Sequence, residues 1–195
     1  MTVRGRVMIS DHLRTPFSLV AACALAAAGL VFAGPAIAQQ TPPAPAQRPV
    51  QQPAQQSRDR TACNDPKSTD DQTIGGCTAL IKSGRESKHN LAVDYNNRGL
   101  AFYDKHDYDH AIADYNQALA IDPNFAQAYN GRCAAQNAKG NTGMAIADCD
   151  QAIQIDANFA FAYNNRGIAK RARGDSAGGD ADIARARELD PTIGK

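Results

Sequence analysis

The chain has 195 residues, 21 basic against 20 acidic side chains, and five cysteines. That length is room for one modest domain. A charge so near zero, with no basic stripe, excludes the electrostatic footprint of a nucleic-acid binder.

Residues 1–38 read as a secretory signal. Arg4, Arg6 and Arg14 precede an apolar run from Phe17 to Ala33, and Ala36-Ile37-Ala38 forms an A-x-A cleavage site before Gln39. The other reading, a retained anchor, needs about 20 apolar residues, and this run is short and rich in alanine. Cleavage leaves 18 basic and 19 acidic residues, a net charge near −1, and no second run long enough to span a membrane. Export to the periplasm or beyond is the expectation. Residues 39–60, QQTPPAPAQRPVQQPAQQSRDR, hold Pro, Gln and Ala with almost nothing to bury. Such a composition does not offset its chain entropy, so a disordered linker is expected here.

Beyond the linker the chain repeats itself. Residues 92–124, 125–158 and 159–192 align at a 34-residue step, with nine columns identical in all three copies. The columns begin at Ala92, Tyr95, Asn96, Arg98, Ala101, Ala113, Asp114, Ala118 and Asp122. A period of this size implies a stacked array in which each unit buries its neighbour's apolar face. Each copy reads as two helices. Tyr95, Gly99 and Phe102 recur at helical spacing, then Lys105-His106-Asp107 breaks the pattern. The other copies break at Lys139-Gly140-Asn141 and Arg173-Gly174-Asp175, a C-cap followed by an N-cap. A second amphipathic segment runs from Ala111 to Ile121 and is expected to stop at Asp122-Pro123. Residues 72–81 align with 144–153 through Ile74/Ile146, Cys77/Cys149 and Ile81/Ile153. A degenerate leading unit over residues 61–91 is therefore expected to cover the open N-terminal face.

Tyr95, Gly99, Phe102, Ala111, Tyr115, Ala118 and Pro123 together resemble the tetratricopeptide repeat (TPR) motif, over about 100 residues of the chain. The second copy departs at Cys133, Gln136, Cys149 and Ala157, the third at Lys170 and Gly179. The resemblance implies an all-α fold: an α-solenoid of three TPR helix-turn-helix units, with the degenerate unit in front. It also implies a concave face lined by the first helices. The positions matching the family's ligand-lining residues are Val93, Asn96, Leu100, Tyr103 and Asp104, then Gln127, Asn130, Ala134 and Asn137, then Phe161, Asn164, Ile168 and Arg171. The Asn96, Asn130 and Asn164 ladder either hydrogen-bonds an extended peptide or ties helices together. One TPR subtype grips chaperone tails with two Asn and three basic residues. The matching positions here hold Asn96, Leu100, Gly131, Phe161 and Asn165, without the basic residues, so that ligand is rejected.

Four cysteines remain after the signal, and four allow three pairings. Cys133 stands in a Gly column and Cys149 in a Tyr column, at places that face each other between paired helices. One position grew and the other shrank, so Cys133–Cys149 is the expected bridge. Cys63–Cys77 would tie down the leading unit. Buried free thiols are the alternative. A metal site is disfavoured because no CxxC spacing occurs. His106 and His110 are four apart, yet His106 occupies the column of Gly140 and Gly174, where a left-handed backbone suffices as explanation. Arg98, Arg132 and Arg166 with Asp114, Asp148 and Asp182 read as a structural ladder of charge pairs. No nucleophile–base grouping or phosphate-cradling loop is present. The expected function is a non-catalytic scaffold or adaptor of the bacterial cell envelope that needs no cofactor and binds other envelope proteins or peptides. Two other classes stay open: a thiol-redox or metal-handling protein, and a structural protein that self-assembles through its C-terminal end.

Overall fold

The computed structural model describes residues 53–193. The expected signal and the linker up to residue 52 lie outside the described residues. Four antiparallel helix pairs follow one another. They are α1 (Pro53–Asn64) with α2 (Asp70–Ser83), α3 (Lys88–Asp104) with α4 (Tyr108–Ile121), α5 (Ala126–Ala138) with α6 (Thr142–Ile155), and α7 (Ala160–Ala172) with α8 (Ser176–Leu189).

The first pair corrects the sequence reading. The expected linker reached residue 60 and the leading unit began at 61, but residues 53–60 are already helical and the unit begins at Pro53. Pro53 is the first residue of α1, where its missing N–H leaves nothing unsatisfied. The segment is too polar to show helical periodicity. Contacts distant in sequence hold it: Cys63 is buried against α2, and Arg60 ion-pairs with Glu86, which lies in the turn before α3.

Local chemistry sets the helix ends. Thr69 and Gln72 form a reciprocal capping box at the start of α2. Asp107 and Asp175 accept hydrogen bonds from the backbone N–H of His110 and Gly178 at the starts of α4 and α8. Asn141 occupies the same column but does not cap α6; its amide donates to Gln136 Oε1 instead, at 2.9 Å. The turns within the three repeats need one left-handed residue each. Gly140 and Gly174 fill that place with φ of 78° and 96°, and His106 fills it with φ of 61°. At the end of each unit the helix stops at the Asp column, before Pro123 as expected and also before Ala157, where no proline follows. Asp122, Asp156 and Asp190 are extended and turn back to accept from the backbone N–H two residues on, at 2.9–3.0 Å. Ala157 replaces the proline in the second unit without changing that geometry.

Within each repeat the paired helices cross at one small-residue contact. A Cβ on Gly99 would lie 3.0 Å from the ring of Tyr115, and one on Gly167 would lie 2.8 Å from Ile183 and from the Gly179 carbonyl. In the middle unit the same two columns are joined covalently by Cys133–Cys149. The expected bridges are both present, the other being Cys63–Cys77.

The Arg and Asp columns form the expected ladder, and each rung has three parts. Arg98 donates through Nε and Nη2 to Asp114 at 2.8 and 2.7 Å, and Arg132 and Arg166 repeat this fork on Asp148 and Asp182. Each Nη1 reaches back to the preceding unit, to Thr78, Asn116 and Asp150 respectively. Each guanidinium also lies over the ring of the Tyr three residues earlier, at 5.3–5.5 Å. All three Asp are buried. Removing Arg98 or Arg132 would leave an uncompensated buried charge, a cost of about 3–5 kcal/mol, whereas Asp182 keeps a second cation in Lys170 at 2.8 Å. The ladder thus joins two helices of one unit and one helix of the unit before it. At the C-terminal end Ile193 folds back onto Ala160 and Ala186, beside Tyr163 and Leu189, and covers part of the last unit.

Candidate functional site: the concave face

The first helices of successive units touch one another along the array, α1 to α3, α3 to α5 and α5 to α7. Among the described residues, α2, α4, α6 and α8 make no contact with each other. Close approach on one side and separation on the other bends the stack, so α1, α3, α5 and α7 line its inner face.

The predicted groove positions divide into two groups. Leu100, Phe161 and Ile168 are 51%, 54% and 47% exposed, and they are three of the five large apolar side chains so displayed among the described residues. Asp104, Gln127 and Arg171 are also exposed. Val93 and Ala134 are half-buried. Tyr103 is drawn inward instead: it packs against the core of the first repeat, with its ring 5.5 Å from that of Tyr108, and burial pushes its hydroxyl pKa up. The Asn ladder is largely occupied. Asn96 donates to Asn97, Asn130 accepts from Asn165 at 2.9 Å, and Asn137 donates to the Asn165 carbonyl at 2.8 Å. Asn97 donates to Asn64 Oδ1 and to the Cys63 carbonyl. The side chains of the neighbouring column, Asn97 and Asn165, therefore work as struts between first helices. Asn164 has no partner among the described residues and stays half-buried.

At the leading end the groove opens into a pocket of about 280 Å³ between the α1–α2 turn and α3, with Asn97, Leu100 and Ala101 in its wall. Three carboxylates, Asp65, Asp70 and Asp104, border it. Burial raises the pKa of Asp104, and the charge of Asp70 raises it further. The opposite end carries Arg171, 3.4 Å from Asp180.

Residues 92–125 match the tetratricopeptide repeat family model. The fold matches the TPR domain of Arabidopsis OM64 at 25% identity and a TM-score of 0.54, over 55% of this chain and 89% of that one. It matches the second TPR domain of human RPAP3, solved in complex with an HSP70 peptide, at 27% identity and a TM-score of 0.52, over 55% and 90%. MamA superposes over 71% of this chain and 77% of its own with a TM-score of 0.58, at 19% identity. No curated protein matches the chain in sequence. One repeat thus matches the tetratricopeptide repeat model, and the array has the fold of TPR domains.

Two residues of the array take roles that the repeat pattern did not announce. The first is Gly131. It stands in the column of Asn97 and Asn165, and a Cβ there would lie 2.4 Å from Tyr115 Cζ, so the ring of the first repeat fills the place of a strut. The second is Asp94, in the column of Ala128 and Ala162. All three are fully buried, and Asp94 is the charged member. A carboxylate in a column otherwise of alanines was the available signal. His106 and His110 hydrogen-bond locally, to Tyr108 Oη and to Asp107. Among the described residues no group of three or more His, Cys, Asp or Glu is placed to hold a metal ion.

Proposed function

We propose that this chain is a non-catalytic scaffold of the bacterial cell envelope that binds a segment of another protein along its concave face. The observation that carries the reading is the display of Leu100, Phe161 and Ile168 on the inner helices. Apolar side chains in a concavity, with polar groups at its rim, are the arrangement that captures peptides. The RPAP3 domain holds a peptide ending in EEVD, which is acidic. Asp65, Asp70 and Asp104 at the leading end of this groove would repel such a tail. The ligand here is therefore a segment with apolar anchors and without an acidic end. The signal-like residues 1–38 and the two cysteine bridges support an oxidising compartment outside the cytosol. Among the described residues no helix is long and apolar enough to cross a membrane.

The test compares the wild type with a Phe161→Glu, Ile168→Glu variant of unchanged helicity, each immobilised against extract of the cell envelope. Both residues are exposed, so the substitutions leave the core intact. A partner retained by the wild type and lost by the variant, then shown to bind as a purified protein, supports the groove. A partner retained equally by both places binding on another surface.

A further inference from the structure

Asp94 is fully buried, and among the described residues no hydrogen-bond donor reaches its carboxylate. Oδ2 has no partner, and Oδ1 faces Cys63 Sγ at 3.5 Å. That sulfur is bonded to Cys77 and carries no hydrogen to give. A buried carboxylate without a donor is a large penalty, and the sister repeats avoid it with Ala128 and Ala162. The same geometry is satisfied once the bridge opens, because a Cys63 thiol places an S–H on Oδ1. The site thus suits the dithiol better than the disulfide. Cys63 also lies in the wall of the 280 Å³ pocket, which opens onto the groove. The second bridge has no such setting: Cys133 and Cys149 are enclosed by Ala145, Ile146 and Ala169.

We propose that Cys63–Cys77, with Asp94 beside it, is a thiol–disulfide exchange site that a dithiol reduces reversibly, while Cys133–Cys149 stays closed as a structural bridge. A thiolate of the dithiol attacks Cys63 from the pocket, the Cys63–Cys77 bond breaks, and Cys77 leaves with the electron pair. The second thiol then attacks the sulfur of its own mixed disulfide and releases Cys63. The dithiol ends as a disulfide, and its two protons end on Cys77 and Cys63, the latter between Sγ and Asp94. Asn97 donates to the Cys63 carbonyl and Asn64, so opening the bridge acts on the strut that shapes the pocket. The charged groups acting on Asp94 are Arg60 on α1 and Glu86 before α3, while Asp59 on α1 is held by Gln55.

The test equilibrates the oxidised protein with mixtures of reduced and oxidised dithiothreitol, traps free thiols by alkylation and assigns them by mass. Tryptic peptides 61–67, 68–82, 133–139 and 140–166 carry one cysteine each. Cys63 and Cys77 are expected to open at a reductant ratio that leaves Cys133–Cys149 intact. Asp94→Ala should need at least about tenfold more reduced reagent to open the same pair. That factor should grow from pH 5 to pH 8 as Asp94 ionises. Asp94→Asn, which accepts without charge, should fall between the two and show no such growth. In the reduced wild type the infrared S–H stretch of one thiol should be shifted by hydrogen bonding, and Asp94→Ala should abolish the shift. Bridges that open together, an Asp94→Ala midpoint equal to the wild type, or an unshifted S–H band would each overturn the proposal.

Discussion

The ring of Tyr115, on the second helix of the first repeat, occupies the space that a side chain at position 131 would take on the first helix of the next. A Cβ on Gly131 would lie 2.4 Å from Cζ, 2.6 Å from Cε1 and 2.7 Å from the hydroxyl oxygen. Tyr115 is 1% exposed and surrounded by Ala111, Ala118, Leu119, Ala128 and Ala135, so it has nowhere to retreat. Burial also pushes its hydroxyl pKa upward. The other repeats carry Asn in this column, which makes Gly131→Asn look like a harmless repair. The expected outcome is the reverse: a loss of about 1–3 kcal/mol from overpacking, read from urea unfolding followed by circular dichroism. Equal or greater stability in Gly131→Asn would show that Tyr115 can move.

Cys133 and Cys149 stand where the first repeat pairs Gly99 with Tyr115. Replacing both with Ala removes the bridge and leaves a gap, so a loss of about 3 kcal/mol is expected from loop closure alone. Combining Cys133→Gly and Cys149→Tyr with Asn165→Gly, which vacates for the new ring the place that Gly131 leaves for Tyr115, restores the contact of the first repeat. Thermal unfolding should rank the wild type above this Gly/Tyr variant, and that variant above the double Ala one. A Gly/Tyr variant no better than double Ala would mean that the two columns are not interchangeable.

Asp94 sets a pH dependence whose sign follows from its burial. Desolvation, and then the charge of Glu86, raise its pKa from 3.8 to about 6 in the fold, against the pull of Arg60. The folded protein therefore binds more protons than the unfolded chain between those values, and stability falls as pH rises through that window. A shift of about two pH units corresponds to about 3 kcal/mol. Asp94→Ala should match the wild type near pH 4 and exceed it by up to that amount at pH 8, with the bridge kept oxidised. Denaturant midpoints of the two proteins across that range provide the check, and parallel curves would contradict it.

The repeat, its period and its register are written in the residue pattern. A 34-residue step with Tyr95, Arg98, Ala101, Asp114 and Ala118 in identical columns leaves one way for each helix to face its neighbour, because an unpaired amphipathic face is costly to expose. The pairing of Cys133 with Cys149 was legible for the same reason, since a Gly–Tyr contact can be exchanged for a bridge only if the two columns meet. Contacts between distant residues were not legible. Residues 53–60 look like linker by composition and become helix through Cys63 packing and the Arg60–Glu86 pair. Tyr103 stands in a ligand-lining column and turns inward against Tyr108. Asn130 stands in another and is taken by Asn165, 35 residues later. These outcomes come from packing between units, as does the placing of the buried Asp94 carboxylate against a disulfide. Periodicity assigns a residue to a face of its own helix; which neighbour covers that face, and what the cover leaves unsatisfied, depends on atoms from other units.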